Sequence, residues 1–206
     1  MSPTREEVAA ASAAWVWLPD FAVTVETDEY LVVRYPDWFE EPLMLTRLRP
    51  RRPAEVVVDE ALARAAELGP REILCWVTSD SDPDGDRGVE ALLAQRGRPA
   101  QTVDVLARDL AAGAPAPHTP DGVELRWVTD VATLRDHENV SAEVFGGTVP
   151  PPDHLDQEAA RAALGYATGE SGRVVAYLDG SPVGSAGLTL TDGVARLWGG
   201  AVREQH

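Results

Sequence analysis

Lysine is missing from this chain. All 18 basic side chains among its 206 residues are arginine, and 34 Asp and Glu outnumber them to a formal net charge of -16. Binding a phosphate backbone depends on clustered cations and counterion release, so this balance excludes nucleic acid as a partner. Cysteine is almost missing too: Cys75 stands alone, which excludes an intramolecular disulfide and a cysteine-rich metal site. Within the apolar stretch Glu72-Ile73-Leu74-Cys75-Trp76-Val77 it reads as a buried structural thiol rather than a nucleophile. No apolar run reaches bilayer length. The most apolar helical stretch, Val8 to Leu18, is too short to span, and the first residues lack the basic segment and apolar run of a signal peptide. No membrane partner and a cytoplasmic location are therefore expected.

Metal chemistry has little to stand on. His118, His137, His154 and His206 show no zinc-like spacing, and Ser181 and Ser185 sit in no nucleophile elbow. Asp80-Ser81-Asp82-Pro83-Asp84-Gly85 reproduces the opening of a calcium loop, but Ala91 stands where the bidentate Glu is needed, with Glu90 one place early and Arg87 at the usual hydrophobic position. An acidic helix-capping loop is the expected role there, and no metal is expected in the chain.

What is present is a soluble globular composition with enough aliphatic content for a core. Leu110 to Asp121 is small, Pro-rich and aperiodic, and reads as a linker of restricted flexibility. It divides the chain into residues 1–110, a linker at 111–121, and residues 122–206. In the first part, Thr4-Arg5-Glu6-Glu7 has capping-box spacing and predicts a helix to about Leu18. Strands follow at about Phe21 to Thr27, Tyr30 to Tyr35 and Leu43 to Leu48, then a helix from Pro53 to Leu68, a strand from Glu72 to Thr78, a helix from about Asp86 to Arg96, and a strand from Gln101 to Arg108. After the linker come a strand at Val123 to Val128, helices near Val131 to Phe145 and Asp153 to Ala167, and three strands from Arg173 to Val202. Asp179-Gly180 and Asp192-Gly193 separate those strands, and Asp-Gly between apolar runs is a strong hairpin signal because a type I′ turn needs positive φ at both central residues. Both parts share an order of helix then three strands, with Phe21 to Pro42 matching Arg173 to Val194 in length.

The last strand resembles the fourth strand of the GNAT superfamily of acetyl-CoA-dependent N-acyltransferases. That strand ends in Val, runs through four variable residues, and enters an Arg-Gly-x-Gly-x-Gly loop opening a helix. Val202 followed by Arg203-Glu204-Gln205-His206 fits the lead-in, and the sequence stops just before the loop should begin. Leu92-Leu93-Ala94-Gln95-Arg96-Gly97 followed by Val103-Asp104-Val105-Leu106 resembles the close of another such domain. The resemblance implies an α/β fold, a mixed and largely antiparallel sheet flanked by helices, as one degenerate GNAT-like domain and the first half of a second in tandem. In the first copy, Arg47-Leu48-Arg49-Pro50-Arg51-Arg52-Pro53 stands where the pyrophosphate loop belongs. It carries no glycine, and its prolines supply no N–H to cradle phosphate. Its four arginines either attract an anion by charge or form a solvated connection.

By the same resemblance, acetyl-CoA is the co-substrate and Gly200, Ala201 and Val202 hold its pantetheine arm and thioester. Gly199-Gly200 also permits a bulge or close approach. Simple alternation puts Arg196, Trp198, Gly200 and Val202 on one face and Leu197 and Ala201 on the other. No carboxylate occurs from Val194 to Val202, so no catalytic base is named. Glu138, Glu143, Asp153 and His154 are substitutes by position, and Phe145-Gly146-Gly147-Thr148 with Pro150-Pro151-Pro152 forms either a substrate lid or a plain connector. The expected function is transfer of an acetyl group to an amine of a small molecule or peptide, inactive in the 206 residues as they stand. The alternative is a noncatalytic module whose exposed sheet edge joins a second copy or a completing segment.

Overall fold

The computed structural model describes residues 3–69, 72–78, 81, 88–97, 103–110, 113, 118–191 and 193–206. The chain forms two compact units, one of Met1–Asp37 with Glu41–Ala114, the other of Trp38–Glu40 with Pro115–His206.

The first unit opens with α1 (Arg5–Ala14), whose capping box at Thr4 and Glu7 is present as the spacing predicts; the helix stops four residues short of the expected Leu18. Strands β1 (Val23–Glu26), β2 (Leu31–Arg34) and β3 (Leu43–Thr46) form an antiparallel meander. Helix α2 (Ala54–Glu67) then crosses over to β4 (Leu74–Cys75), which pairs parallel to β3. Val57, Val58, Ala61 and Ala65 recur at helical spacing on α2 and are buried against Tyr30, Val32, Leu43 and Leu45 of the sheet, the amphipathic arrangement that supplies most helix stability in proteins. Leu68 caps α2 and Gly69, at φ +118°, ends it. Helix α3 (Val89–Arg96) follows.

The expected strand from Gln101 to Arg108 is not formed over its described residues: 103–110 carry no regular structure, and Val103, Val105 and Leu106 are exposed, Leu106 by 92%; Gln101 and Thr102 lie outside the described residues. β-branched residues favour a strand only where a pleated, half-buried surface receives them, and no described strand lies beside these. Of the calcium-like loop only Ser81 is described. It is buried, with its hydroxyl accepting from Thr78 N–H at 3.1 Å. No cluster of metal-ligating side chains occurs among the described residues.

The second unit runs β5 (Val123–Trp127), α4 (Val131–Phe145), α5 (Pro152–Thr168), β6 (Ser171–Leu178), β7 (Ser181–Thr191) and β8 (Val194–Val202), with one antiparallel sheet in the order β5-β6-β7-β8. Asp130 caps α4 by accepting from Thr133 N–H at 2.8 Å, and Pro152 opens α5, where its missing N–H costs nothing. Asp179 and Gly180 both have positive φ, 50° and 78°, as a type I′ turn requires; Asp192 of the second turn lies outside the described residues. Leu134, Leu155, Ala159 and Ala162 of the helices are buried with Val175 and Tyr177 of β6. The other face of the sheet stays apolar and open, with Leu125, Trp127, Leu190, Leu197 and Val202 exposed. No described helix is long and apolar enough to cross a membrane.

Candidate functional site

Among the described strands, β8 is the edge of its sheet and pairs with β7 alone. The register runs from Thr191↔Val194 to Gly187↔Trp198, then resumes at Ser185↔Ala201 and Gly184↔Val202. Gly199 and Gly200 therefore oppose the single residue Ala186. Gly199 adopts φ +60°, the left-handed conformation of a glycine bulge, which leaves one residue out of the ladder and bends the strand. The bulge also overturns simple alternation. Ala201 joins the helix-covered face with Trp198: it is 5% exposed and opposite Ser185, whose hydroxyl lies 3.3 Å from that of Ser141 on α4. Val202 turns to the open face, 61% exposed and packed by Gly184. A period-two reading cannot register an inserted residue, although the Gly-Gly pair signals one.

Next to the bulge, the Trp198 ring covers Gly187 so closely that an added Cβ there would stand 2.4 Å from it. Trp198 Nε1 donates to Thr189 Oγ1 at 3.1 Å, and the Arg173 guanidinium lies 5.4 Å from the ring centroid. Arg173 in turn is paired with Glu158 of α5 and, at 3.4 Å, with Glu138 of α4. The His137 ring stands 6.2 Å from Trp198, only 3% exposed. Neither ring nitrogen has a hydrogen-bond partner in the described structure, though Nδ1 lies 3.4 Å from Glu138 Oε1.

Gly200, Ala201 and Val202 thus sit together at the bulged end of β8. Of the four carboxylate and histidine substitutes, Glu138 belongs to the Arg173 network, Glu143 lies 3.0 Å from Arg203 Nε, Asp153 is exposed in the first turn of α5, and the His154 ring is tilted against Trp38 at 4.9 Å. They form no single cluster. The connection between α4 and α5 is anchored: Val149 packs on the core and Pro150 is buried. The sequence reading weighed His137 only as a zinc ligand and did not single out the side chains of Arg173 and Glu158. Their signal was weak, for only burial, not spacing, separates them from ordinary surface charges. Tyr177 is no acid for this site, because its hydroxyl donates to Asp136 at 2.7 Å, and burial with that bond pushes its pKa up to about 12.

A bulge at a sheet edge presents backbone N–H and C=O groups outside the ladder. Such groups can pair with an amide-bearing arm and donate to a developing oxyanion. A GCN5-related N-acetyltransferase from Kribbella flavida matches this structure over 90% of the chain and 68% of its own length, with TM-score 0.55 and 18% identity. The fold is that of the GCN5-related N-acetyltransferases. A tandem GNAT protein from the clavulanic acid biosynthesis pathway aligns over 97% of the chain and 69% of its own, with TM-score 0.43 and 16% identity. A functionally unknown conserved protein from Staphylococcus epidermidis aligns over 89% and 73%, with TM-score 0.45 and 12% identity. No protein-family model and no curated protein sequence matches the chain. The Gly199-Gly200 bulge lies on β8, directly before Ala201 and Val202.

Proposed function

We propose that the protein is an N-acyltransferase that takes acetyl from acetyl-CoA and passes it to a primary amine, with Gly200, Ala201 and Val202 as the thioester-binding edge. The supporting observation is the glycine bulge at the edge of β8 on a GNAT fold. The strand offers its backbone to the pantetheine amides, and an N–H at the bulge donates to the thioester oxygen as it gains charge when the amine attacks. No described side chain at the bulge serves as base: a neutral amine forms the C–N bond, the adduct collapses with cleavage of the C–S bond and loss of the coenzyme A thiolate, and the surplus proton on nitrogen passes to that thiolate or to water. The first unit is read as a degenerate copy, with its β3-to-α2 connection as the counterpart of a phosphate loop.

We expect residues 1–206, whose last four, Arg203-Glu204-Gln205-His206, include no glycine, to hold acetyl-CoA weakly and to turn it over slowly or not at all. Calorimetric titration with acetyl-CoA, together with thiol release in the presence of a panel of amines, tests this. Micromolar binding by residues 1–206 would contradict the weak-site reading. A second reading is favoured by Leu197, 78% exposed on the edge strand: the sheet joins a second copy of the chain and does no chemistry. Sedimentation of the wild type and Leu197→Glu separates the two, since only the dimer reading predicts a mass that halves in the variant.

A further inference from the structure

The loop between β3 and α2 already holds an anion, and it is the chain's own. One carboxylate oxygen of Glu29 accepts from the backbone N–H of Arg51 at 2.6 Å and of Arg52 at 2.9 Å, while the other accepts from Arg52 Nε at 2.6 Å. The backbone is fastened at the same place, with Arg49 N–H donating to the Glu29 carbonyl at 2.7 Å. Glu29 is 7% exposed, a position a carboxylate holds only when fully partnered. Burial raises its pKa, but the two N–H groups and the Arg52 guanidinium outweigh burial and hold it below the usual carboxylate range. Two successive N–H groups converging on one oxygen, just ahead of a helix that starts at Ala54, form the kind of concavity in which loops hold phosphate.

We propose that Glu29 is a built-in occupant of the first unit's anion cradle, closing that unit to a diphosphate group such as the one in coenzyme A. The proposal rests on the reading above of the β3-to-α2 connection as the counterpart of a phosphate loop. The cradle does not depend on Glu29 for all its order. Arg52 also pairs with Glu60 at 2.9 Å, and Tyr30 donates to the same carboxylate at 2.9 Å, so the guanidinium keeps an anchor when Glu29 is removed. Arg51 pairs at 3.6 Å with exposed Asp28, a contact that water and salt weaken and that leaves its charge available to an incoming anion.

The test is titration of the full chain with inorganic pyrophosphate, read at the backbone amides by NMR, for wild type, Glu29→Ala and Glu29→Gln. In the wild type the Arg51 and Arg52 amides should not respond. In Glu29→Ala they should shift saturably, with affinity at least about tenfold above wild type, the order expected when charge-assisted hydrogen bonds become available. Glu29→Gln keeps the side-chain volume but sets an amide NH2 against Arg52 Nε, so pyrophosphate displaces it with a smaller gain. If the alanine variant does not fold, the glutamine variant decides. A folded variant whose Arg51 and Arg52 amides respond no more than wild type overturns the proposal and leaves Glu29 as a fastener of the loop. Shifts confined to Gly200, Ala201 and Val202 overturn it too. The acyltransferase reading stands or falls separately, on the response of those three amides to acetyl-CoA.

Discussion

In the first unit β3 spans Leu43–Thr46, is flanked by β2 on one side and parallel β4 on the other, and runs into a loop whose backbone donors are taken by Glu29. In the second unit β8 spans Val194–Val202, has a paired neighbour on one side only among the described strands, and carries two glycines out of register. The strand order leading to each is similar, yet the polar backbone is accounted for in opposite ways. Every buried N–H and C=O needs a partner. In the first unit the loop donors of Arg51 and Arg52 meet Glu29, while among the described strands β8 of the second unit is paired on one side only. Shared architecture does not carry shared chemistry; what distinguishes the units is the destination of a few N–H groups.

The largest effect expected from breaking this contrast is at Glu29. Glu29→Ala removes the acceptor from two backbone N–H groups and a guanidinium, and should lower unfolding stability by about 2–3 kcal/mol in urea titration. A loss under about 0.5 kcal/mol, the range of ordinary surface changes, would mean the loop is held by other contacts. Next is Gly187→Ala, which drives a methyl into the Trp198 ring beside the bulge and should cost about 1–3 kcal/mol by overpacking, with a change in tryptophan emission. Gly199→Ala sharpens the comparison differently. Nothing lies within 4 Å of the added carbon, so its cost of about 1 kcal/mol comes from positive φ alone.

A pH effect follows from the sign of the Glu29 shift. Its folded pKa lies below the ordinary value, so its contribution is complete above the unfolded pKa of about 4.3 and is lost as pH falls through the folded value. The stability gap between wild type and Glu29→Gln should be constant from about pH 6 to 8 and narrow below about pH 4. A gap that widens on acidification would reverse the assignment. The smallest effect concerns Cys75. Burial pushes its thiol up to about 11, so at pH 8 about one molecule in a thousand is thiolate, and alkylation should be slow until the protein unfolds.

How much of this was legible beforehand varied with the kind of signal. Capping at Thr4, Asp179-Gly180 and the run Val123 to Val202 declared themselves through local chemistry, and the elements formed there follow closely. The stretch near Val103 to Leu106 has strand-like composition but no described neighbour to pair with, and pairing is a tertiary fact that composition does not hold. The glycine pair hinted at a bulge, but its consequence, the exchange of faces between Ala201 and Val202, depends on register with β7. The Arg47 to Pro53 run disclosed positive charge and the want of glycine. It did not disclose that Glu29, more than twenty residues earlier, supplies the anion.

The most direct test of the account is an amide-resolved NMR titration of the wild-type chain with acetyl-CoA at millimolar concentration, comparing the two loci in one sample. The account predicts saturable shifts at Gly200, Ala201 and Val202 and none at Arg51 and Arg52. Shifts at Arg51 and Arg52 with silence along the end of β8 would contradict it, placing the open site in the unit argued to be closed.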